Sequence, residues 1–230
     1  MATHEVALIG SETVAEGTMM FRFAKPAGFA FQPGQAVDLA LLNPPAEANS
    51  SHRMLSLVSA PCEAALAVAT RMREASAFKR ALGMLAPGAK VRLKGPTGVM
   101  TLHDDSARAA VFIAGGIGIT PFMSMLRQAA HDRPERRFLL LYSNRRPEHA
   151  AFLHELHGLA QRYDRLRMLA RMTDQDGFID AKTIKNFVGA ASAPVYYLAG
   201  PPPMVDAMTT LLRSGGVSDG DINSEEFYGY

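Results

Sequence analysis

The chain has 230 residues, enough for one large domain or two small ones with a sizeable core. Its net charge is only +2 and it has no block of lysines or arginines, so its composition gives no reason to expect a nucleic acid as partner. Cys62 is the only cysteine, which excludes a disulfide within the chain, a cysteine zinc site and a cysteine-bound iron–sulfur cluster.

The beginning of the chain has neither the basic stretch nor the apolar stretch of a signal peptide. Its apolar runs are too short to span a bilayer, so we expect no membrane insertion and a cytoplasmic location. The stretch His154-Glu155-Leu156-His157 spaces its histidines at i and i+3, whereas the zinc-protease pattern needs i and i+4. We therefore expect no metal site.

Up to about Leu102 the sequence predicts short strands separated by turn residues. Alternating apolar and polar residues indicate six strands, at Glu5–Ile9, Met19–Phe23, Ala36–Leu41, Arg53–Val58, Leu66–Thr70 and Lys90–Leu93. One helical stretch runs from about Ser76 to Leu85, and the polar segment Asn43–Ser51 is typical of a surface loop. This pattern predicts a six-stranded antiparallel barrel.

After the polar segment 103–106 the pattern changes to strands that alternate with helices. Apolar runs predict four strands, at Ala109–Ala114, Phe138–Tyr142, Leu166–Ala170 and Val195–Leu198. Helices are predicted at Pro121–Ala130, Pro147–Tyr163 and Pro201–Leu212. Such alternation is typical of a parallel sheet covered on both faces. We therefore predict a two-domain β + α/β fold, with a barrel domain at 1–104 and an α/β domain at 105–230.

Two glycine-containing loops favour a binding crevice. Gly115-Gly116-Ile117-Gly118-Ile119-Thr120-Pro121 lies between an apolar strand and a helix. Glycines let a backbone approach a pyrophosphate, and a helix N-terminus attracts negative charge. Gly200-Pro201-Pro202-Pro203-Met204 follows the last predicted strand, and ligands bind outside the carboxyl ends of strands in such sheets. A glycine-rich turn without a ligand is the alternative for the first loop taken alone.

Arginines at two places have more than one interpretation. Arg53 and Ser56 are three residues apart in a predicted strand, so alternation does not place them on one face. From that segment alone we expect the arginine on an outer face and the serine in a local hydrogen bond. Arg145 and Arg146 follow the second parallel strand, where a 2′-phosphate would meet cations. They favour NADPH slightly, or use of both coenzymes, and an exposed surface pair is an equal alternative.

Six motifs resemble, in order and spacing, those of the ferredoxin–NADP reductase superfamily. They are Pro33-Gly34-Gln35, Arg53-x-x-Ser56, Gly95-Pro96-Thr97-Gly98, the glycine loop 115–121, the segment 200–204 and the terminal Glu225-Glu226-Phe227-Tyr228-Gly229-Tyr230. The match covers essentially the whole chain, and six motifs in register are highly specific. The resemblance implies a barrel that binds FAD, an α/β domain that binds NAD(P)H, and hydride transfer from the coenzyme to the flavin.

The resemblance also implies a separate electron acceptor, since no ferredoxin domain accompanies these motifs in the sequence. The acceptor would be a protein with an iron–sulfur or haem group, or a small molecule. Two alternatives remain open at this point. One is a flavin reductase that treats flavin as a diffusible substrate, and the other is a non-catalytic electron-transfer or regulatory subunit that binds flavin.

The resemblance assigns flavin-binding roles to residues of the barrel. Arg53 would pair with the flavin pyrophosphate, and Ser56 would hydrogen-bond the ring near N5, where the hydride arrives. The helix start at Ser76 would offer backbone N–H groups to the phosphates. Leu55 stands where the family usually has a tyrosine, so it can cover the ring but has no hydroxyl. Met54 and Arg71 complete the predicted flavin-binding set.

In the terminal segment, Phe227 would be the aromatic residue beside the flavin. Glu225 would be the carboxylate near N5, with Glu226 as the alternative. The predicted catalytic residues are thus Ser56, Glu225 and Phe227.

The predicted nicotinamide site takes residues from three loops. They are Gly115, Gly116, Gly118, Ile119, Thr120, Pro121, Ser143, Asn144, Arg145, Gly200, Pro201, Pro202 and Met204. By resemblance, Thr120 would lie close to the nicotinamide ring. Many relatives carry a cysteine just before the second loop, and Ala199 at that position removes any role of a thiol.

Overall fold

The computed structural model of the protein describes residues 1–46 and 51–228. Part of the predicted surface loop Asn43–Ser51, namely residues 47–50, lies outside the described residues, as do Gly229 and Tyr230 of the terminal motif. Within the described residues, the strands belong to two sheets, one antiparallel and one parallel.

The antiparallel sheet is closed into a barrel. Its strands are β1 Ala2–Ala15, β2 Thr18–Ala24, β3 Ala36–Leu41, β4 His52–Ser56, β5 Ala65–Arg71 and β6 Lys90–Thr97, in the spatial order β4-β3-β6-β1-β2-β5. The two end strands meet where Leu57 pairs with Val68 and the Val58 N–H donates to the Ala67 carbonyl at 2.8 Å. The predicted antiparallel barrel is confirmed.

Strand β1 is longer than the predicted Glu5–Ile9 because it pairs with two neighbours in turn. Residues 2–7 pair with β6, and residues 8–15 pair with β2. The pairing is irregular between Leu8 and Gly10 and again between Thr13 and Ala15. Such bulges break the alternation by which a sequence pattern marks a strand.

Alternate apolar side chains of the six strands fill the barrel. Helix α1, Ala77–Gly83, packs against this core through Phe78 and Leu82. Its N-cap is Ser76, whose hydroxyl accepts the Lys79 N–H at 3.3 Å. The predicted helix at about 76–85 is therefore present, with slightly shorter bounds.

The second sheet is entirely parallel. Its strands are β7 Ala110–Gly115, β8 Phe138–Asn144, β9 Leu166–Met172, β10 Val195–Gly200 and β11 Ile222–Glu226, in the spatial order β11-β10-β7-β8-β9. Every residue of β7 and β10 is buried, as expected for central strands covered on both faces. The predicted parallel sheet is confirmed.

Helices cover the parallel sheet on both faces. They are α2 Thr120–Asp132, α3 Leu153–Arg162, α4 Thr173–Asp176, α5 Ala181–Val188 and α6 Pro202–Ser214. Helices α2 and α3 pack on one face, and α5 and α6 pack on the other. On the first face the rings of Phe112 and Phe122 stack with their centroids 4.6 Å apart. No helix in the described residues is long and apolar enough to cross a membrane.

The predicted helix Pro147–Tyr163 is wrong in its first part. Residues 147–149 form a single 3₁₀ turn, and α3 begins only at Leu153. Between them Phe152 has a left-handed backbone, with φ of 61°. The Ala151 carbonyl accepts the Tyr142 hydroxyl at 3.1 Å, and both Ala151 and Phe152 are buried. Tertiary packing here overrides local helix propensity.

The sequence pattern also missed α5 and β11. Helix α5 has only eight residues, and Ile184 and Val188 are its only buried ones, so a search for long apolar patterns passes over it. Strand β11 contains one apolar residue, Ile222, and lies at the edge of the sheet. It pairs with β10 so that Glu225 lies opposite Ala199.

The barrel and the parallel sheet are joined through one face of helix α2. The Ser124 hydroxyl donates to the Ser59 carbonyl at 2.7 Å, and the Gln128 side chain accepts the Cys62 N–H at 3.0 Å. Ser59 and Cys62, the barrel partners in these two bonds, lie in the segment that follows β4. These bonds fix α2 against the barrel where the barrel closes.

Arg127, on the same face of α2, carries a largely buried charge. Its guanidinium donates to both oxygens of Glu155 on α3, at 2.7 and 2.8 Å, and to the Val58 carbonyl at 3.2 Å. Glu63 of the barrel lies 3.6 Å away, and the guanidinium stands over the ring of Phe152 at 5.7 Å. One side chain therefore links α2, α3 and the barrel.

The segment between the two sheets is held by His103. Its backbone N–H donates to the Tyr197 hydroxyl at 2.8 Å, and its ring Nδ1 lies 2.8 Å from the same hydroxyl. Ring Nε2 lies 3.2 Å from the Arg108 carbonyl. Burial lowers the pKa of His103, the charges of Arg136 and Arg108 lower it further, and Asp105 opposes them. The fold therefore favours the neutral imidazole.

Replacing Arg127 with alanine should lower the free energy of unfolding by about 3 kcal/mol, because it leaves Glu155 without its partner and removes a contact to the barrel. The matched control is Arg165→Ala, which breaks the exposed ion pair with Glu135 and should cost less than about 1 kcal/mol. Urea unfolding curves measure both. Equal losses in the two variants would contradict the role assigned to Arg127.

The lowered pKa of His103 predicts a pH-dependent stability. Because the unfolded chain binds this proton at a higher pH than the folded chain, the stabilisation is complete above the ordinary histidine pKa of 6.5. It is lost as pH falls from there through the folded pKa. His103→Gln should flatten this part of the stability curve, measured by urea unfolding across the acid range. An equal slope in the wild type and in His103→Gln would disprove the assignment.

Candidate functional site

A cavity of about 610 Å³ opens between the barrel and the parallel sheet, within the size range of small-molecule and cofactor sites. Its wall comes from β4, the end of β5, the start of α1, the glycine loop and the terminal segment. The predicted site residues that it brings together are Arg53, Met54, Leu55, Ser56, Arg71, Ser76, Glu225 and Phe227. The flavin-binding and catalytic residues predicted from the sequence therefore share one cavity.

All four residues 53–56 line the cavity, although strand alternation predicts otherwise. Arg53 is half-buried, donates to the His52 carbonyl at 2.7 Å, and stands over the ring of Phe78 at 5.1 Å. Ser56 is only 3% exposed, at the end of the strand. The expectation of an arginine on an outer face is wrong because β4 is an end strand of the sheet and borders the cavity where the barrel closes.

Positive charge is concentrated in part of the cavity wall. Arg53, Arg71, Arg73 and Lys79 all line the cavity. Burial and, to a lesser extent, the charges of the three arginines together lower the pKa of Lys79 to about 8. A wall with this composition suits an anionic ligand such as a phosphate ester.

The terminal segment supplies carboxyl groups to the same cavity. Oxygen Oε2 of Glu225 is buried and makes no hydrogen bond with any described residue, and burial raises the pKa of this carboxyl. Glu226 also lines the cavity but accepts the Tyr228 hydroxyl. Glu225 is thus the carboxyl with hydrogen-bonding capacity left for a ligand. The described residues contain no group of three or more histidines, cysteines or acids that could hold a metal ion.

The glycine loop is shaped by contact with the neighbouring strand. Residues 116–119 form a 3₁₀ turn, after which α2 begins with a proline in its first turn, as the sequence predicts. A Cβ atom on Gly118 would lie 2.2 Å from the Ala199 carbonyl oxygen, and one on Gly115 would lie 2.4 Å from the Met204 sulfur. At Gly118 the neighbouring atoms are backbone, so only glycine allows this approach, whereas at Gly115 the flexible Met204 side chain would have to move. Gly116 differs, with φ of 55° and open space beside its Cβ position.

The residues of the glycine loop differ in their accessibility to a ligand. Ile119 and Thr120 are buried, and the Thr120 hydroxyl donates to the Ile117 carbonyl at 3.0 Å. Gly116 and Ile117 are partly exposed, and Ile117 also lines the cavity. Pro121 is buried at the start of α2. The proximity of Thr120 to a nicotinamide therefore stays a prediction, and Ile117 connects the loop to the cavity.

The loops that follow β7, β8 and β10 share one edge of the sheet. Gly115 pairs with Ser143 of β8, and Ala199 of β10 flanks the other side of β7. The segment Gly200–Met204 turns directly into α6, whose first turn contains Pro202. This edge is where open α/β sheets bind ligands, so the predicted nicotinamide residues lie in one neighbourhood.

At the end of β8, Asn144 is 6% exposed and neither polar atom of its amide makes a hydrogen bond with a described residue. The nearby Tyr142 hydroxyl donates its hydrogen bond to the Ala151 carbonyl and not to the amide of Asn144. Arg145 is exposed, with Nε 3.6 Å from Asp174. The edge therefore holds an amide with unused hydrogen-bonding capacity beside an exposed cation.

Sequence reasoning missed several cavity residues. The cavity residues that were not predicted are Ala69, Thr70, Arg73, Ala75, Ala77, Phe78, Lys79, Ile117 and Tyr228. For Lys79 a signal was present, because it lies one helical turn after Ser76 and so on the same side of α1. For Ile117 the signal was its position inside the glycine motif. Arg73 lies in a loop with no pattern that could have indicated it.

Comparison with known proteins gives matches over the whole length of the chain. Residues 112–210 match the family described as "Oxidoreductase NAD-binding domain". Ferredoxin–NADP reductase B from Sorangium cellulosum (strain So ce56) is 30% identical over 207 residues, which cover 85% of this chain and 84% of that protein. The reductase component of propane 2-monooxygenase from Rhodococcus jostii (strain RHA1) is 26% identical over 215 residues, or 88% of this chain. This chain spans 57% of the length of the Rhodococcus protein.

A solved structure shares the fold. The crystal structure of a ferredoxin NADP+ reductase from Neisseria gonorrhoeae, with bound FAD and NADP, superposes with a TM-score of 0.84. The match covers 98% of this chain and 99% of that one, at 19% sequence identity. The order of barrel and parallel sheet is therefore common to both proteins.

The packing of the glycine loop predicts unequal effects of alanine at two glycines. Gly118→Ala should cost about 3 kcal/mol of stability or more, since the new Cβ meets backbone at 2.2 Å and the loop or β10 must move. Gly116→Ala should cost about 1 kcal/mol, because only its left-handed backbone resists a side chain. Urea unfolding followed by circular dichroism gives both values. Equal stability of the two variants would mean that β10 does not restrict Gly118.

Proposed function

Because the chain belongs to the ferredoxin–NADP reductase superfamily, we propose that it binds FAD in the cavity between its two sheets, oxidises NAD(P)H and passes the electrons to a separate acceptor. The observation that carries the proposal is the composition of that cavity. Arg53, Ser56, Glu225 and Phe227 come from distant parts of the chain and line the same space of about 610 Å³. When bound, FAD would accept a hydride from the nicotinamide and release electrons singly or in pairs.

The barrel residues bind the cofactor through its phosphates. Arg53 is a permanently charged, planar group that can donate two parallel hydrogen bonds to a phosphate. Arg71 and Ser76 line the same cavity and belong to the phosphate-binding part of the site. Met54 and Leu55 supply apolar surface for the ring system. Leu55 packs against the barrel core, so its position is fixed.

Ser56, Glu225 and Phe227 act where the hydride is transferred. Ser56 is 3% exposed, so its hydroxyl binds a ligand with little competition from water. Burial raises the pKa of Glu225, so this carboxyl keeps its proton to a higher pH than usual and can donate a hydrogen bond from Oε2. Phe227 is half-buried, and its backbone N–H donates to the Gly200 carbonyl at 2.9 Å. This bond fixes Phe227 beside the segment 200–204.

The α/β part of the chain binds the nicotinamide coenzyme at the carboxyl edge of the parallel sheet. In this proposal residues 1–104 carry the flavin site and residues 105–230 carry the nicotinamide site and the terminal segment. Gly116 and Ile117 are the partly exposed residues of the glycine loop, and Ile117 belongs to both sites. The segment 200–204, which follows β10, forms the second wall of the nicotinamide site. The amide of Asn144, which makes no hydrogen bond with a described residue, lies at the end of β8, and β7 separates β8 from β10.

Arg145 and Arg146 favour NADPH through its 2′-phosphate. Both are exposed, with side chains 74% and 52% accessible. Asp174 lies 3.6 Å from Arg145 and Glu16 lies 3.8 Å from Arg146, so a phosphate must compete with a weak carboxylate contact at each. We expect a modest preference that salt reduces.

The acceptor is a protein with an iron–sulfur or haem group, or a small molecule. Relatives that are named as reductase components of monooxygenases support a protein acceptor. The cytoplasm is the proposed location, because a free Cys62 is most stable in a reducing compartment.

The test is the visible spectrum of the purified protein, followed by anaerobic titration with NADPH and NADH. We expect a bound flavin that is bleached by NADPH. Arg53→Ala should weaken FAD binding about ten- to a hundredfold, because one charge-assisted pair is lost. Arg92→Ala, on the exposed side of β6, is the control and should keep its flavin.

Three results would contradict the proposal. A colourless protein that reduces added flavin would indicate a flavin reductase with a diffusible substrate. A coloured protein that NADPH and NADH leave oxidised would indicate a non-catalytic flavin-binding subunit. A full flavin complement in Arg53→Ala after extensive dialysis would remove Arg53 from the site.

A further inference from the structure

Lys79 extends the positive wall of the cavity beyond the arginine that the family motif identifies. Arg53, Arg71 and Arg73 line the same cavity, and each is close enough to act on the charge of Lys79. Within residues 1–46 and 51–228, Lys79, Arg71 and Arg73 form no ion pair with a carboxylate. Lys79, Arg71 and Arg73 therefore hold positive charge that no carboxylate of the described residues neutralises in an ion pair.

Like charges collected in one wall repel one another, and partial burial adds to the cost of the charge on Lys79. An anionic ligand removes both penalties. A diphosphate carries more than one negative charge, so Arg53 alone cannot neutralise it. The additional cations supply the charge that such a group requires.

The local structure fixes the position of Lys79. Its backbone N–H is held by the N-cap hydroxyl of Ser76 at 3.3 Å, and the two residues lie on one side of α1. The Lys79 side chain is half-buried and lines the cavity beside Ser76. Ser76 is the residue at which the phosphates are expected, so Lys79 lies at the phosphate end of the proposed site.

We propose that Lys79 is a second phosphate-binding residue, which holds the diphosphate of FAD together with Arg53 and makes retention of the cofactor dependent on pH. The inference rests on the proposed function, because it needs FAD in this cavity. Lys79 itself lies on helix α1.

The sign of the pH dependence follows from the surroundings of Lys79. Burial and the charges of Arg73, Arg53 and Arg71 lower the pKa of Lys79 to about 8, and the acids of the tail segment 225–228 face the same cavity. Only the protonated amine attracts a phosphate. Above this pKa the free protein must take up a proton to bind FAD tightly, so affinity falls as pH rises.

The test measures the dissociation constant of FAD for the flavin-depleted full chain, at about pH 7 and about pH 9.5, by quenching of flavin fluorescence. Lys79→Met should weaken binding about tenfold at the lower pH and little at the higher pH, where the wild-type lysine is neutral. Lys79→Arg should bind like the wild type at the lower pH and keep that affinity at the higher one. Lys90→Met, an exposed lysine paired with Glu5, should match the wild type at both.

Riboflavin separates phosphate binding from an effect on cavity shape, because it has the ring system without phosphate. Lys79→Met should bind riboflavin as well as the wild type does. Inorganic pyrophosphate should compete with FAD more weakly in Lys79→Met than in the wild type. Circular dichroism and urea unfolding establish that each variant is folded, and Lys79→Arg carries the test should Lys79→Met fail to fold.

The outcomes distinguish this inference from the proposed function. Equal FAD affinity of wild type and Lys79→Met at both pH values would overturn the role of Lys79 and leave the FAD site intact. Equal weakening of riboflavin and FAD would also overturn it, since the residue would then act on the ring or on cavity shape. A wild-type chain that binds FAD at neither pH would overturn both proposals.

Discussion

The contact of Arg127 with Glu155 and the Val58 carbonyl is the interaction on which the rest of the structure depends. A buried guanidinium is tolerated only when its donors are used, and here they join two helices to the barrel. Helix α2 carries Arg127 and begins with the glycine loop, while Val58 follows β4 by two residues. The same contact therefore sets the distance between Ile117 and the cavity wall formed by β4.

The cavity joins groups of opposite charge from the two halves of the chain. The barrel supplies the cations, and β11 brings Glu225 to the same space by pairing with β10. Loss of water acts on both kinds of group in the same direction, towards the neutral form. It raises the pKa of Glu225 and, together with the charges of three nearby arginines, lowers the pKa of Lys79 to about 8. A site of this kind suits a ligand that is anionic at one end and accepts a hydrogen bond elsewhere.

Sequence patterns were informative where one physical signal dominates. The uninterrupted apolar run of β7 predicted a central parallel strand, and two of the six motifs, Arg53-x-x-Ser56 and the terminal segment, supplied predicted residues that line the cavity. They failed where tertiary contacts decide. Strand β11 lacks an alternating pattern and forms by pairing with β10. Phe152, which is buried with a left-handed backbone, interrupts the predicted helix 147–163. The motif at Gly118 was found, but its physical cause is the neighbouring Ala199 carbonyl, which no local pattern reveals.

The position of the cavity between two sheets couples ligand binding to the cohesion of the molecule. A ligand that contacts both β4 and the terminal segment binds tightly only while the two halves are docked, so its binding free energy is added to the stability of that docked state. By thermodynamic linkage, a free ligand at a hundred times its dissociation constant contributes about 2.7 kcal/mol. Protein prepared with and without the ligand would then differ in melting temperature and in resistance of the junction at residues 103–109 to proteases.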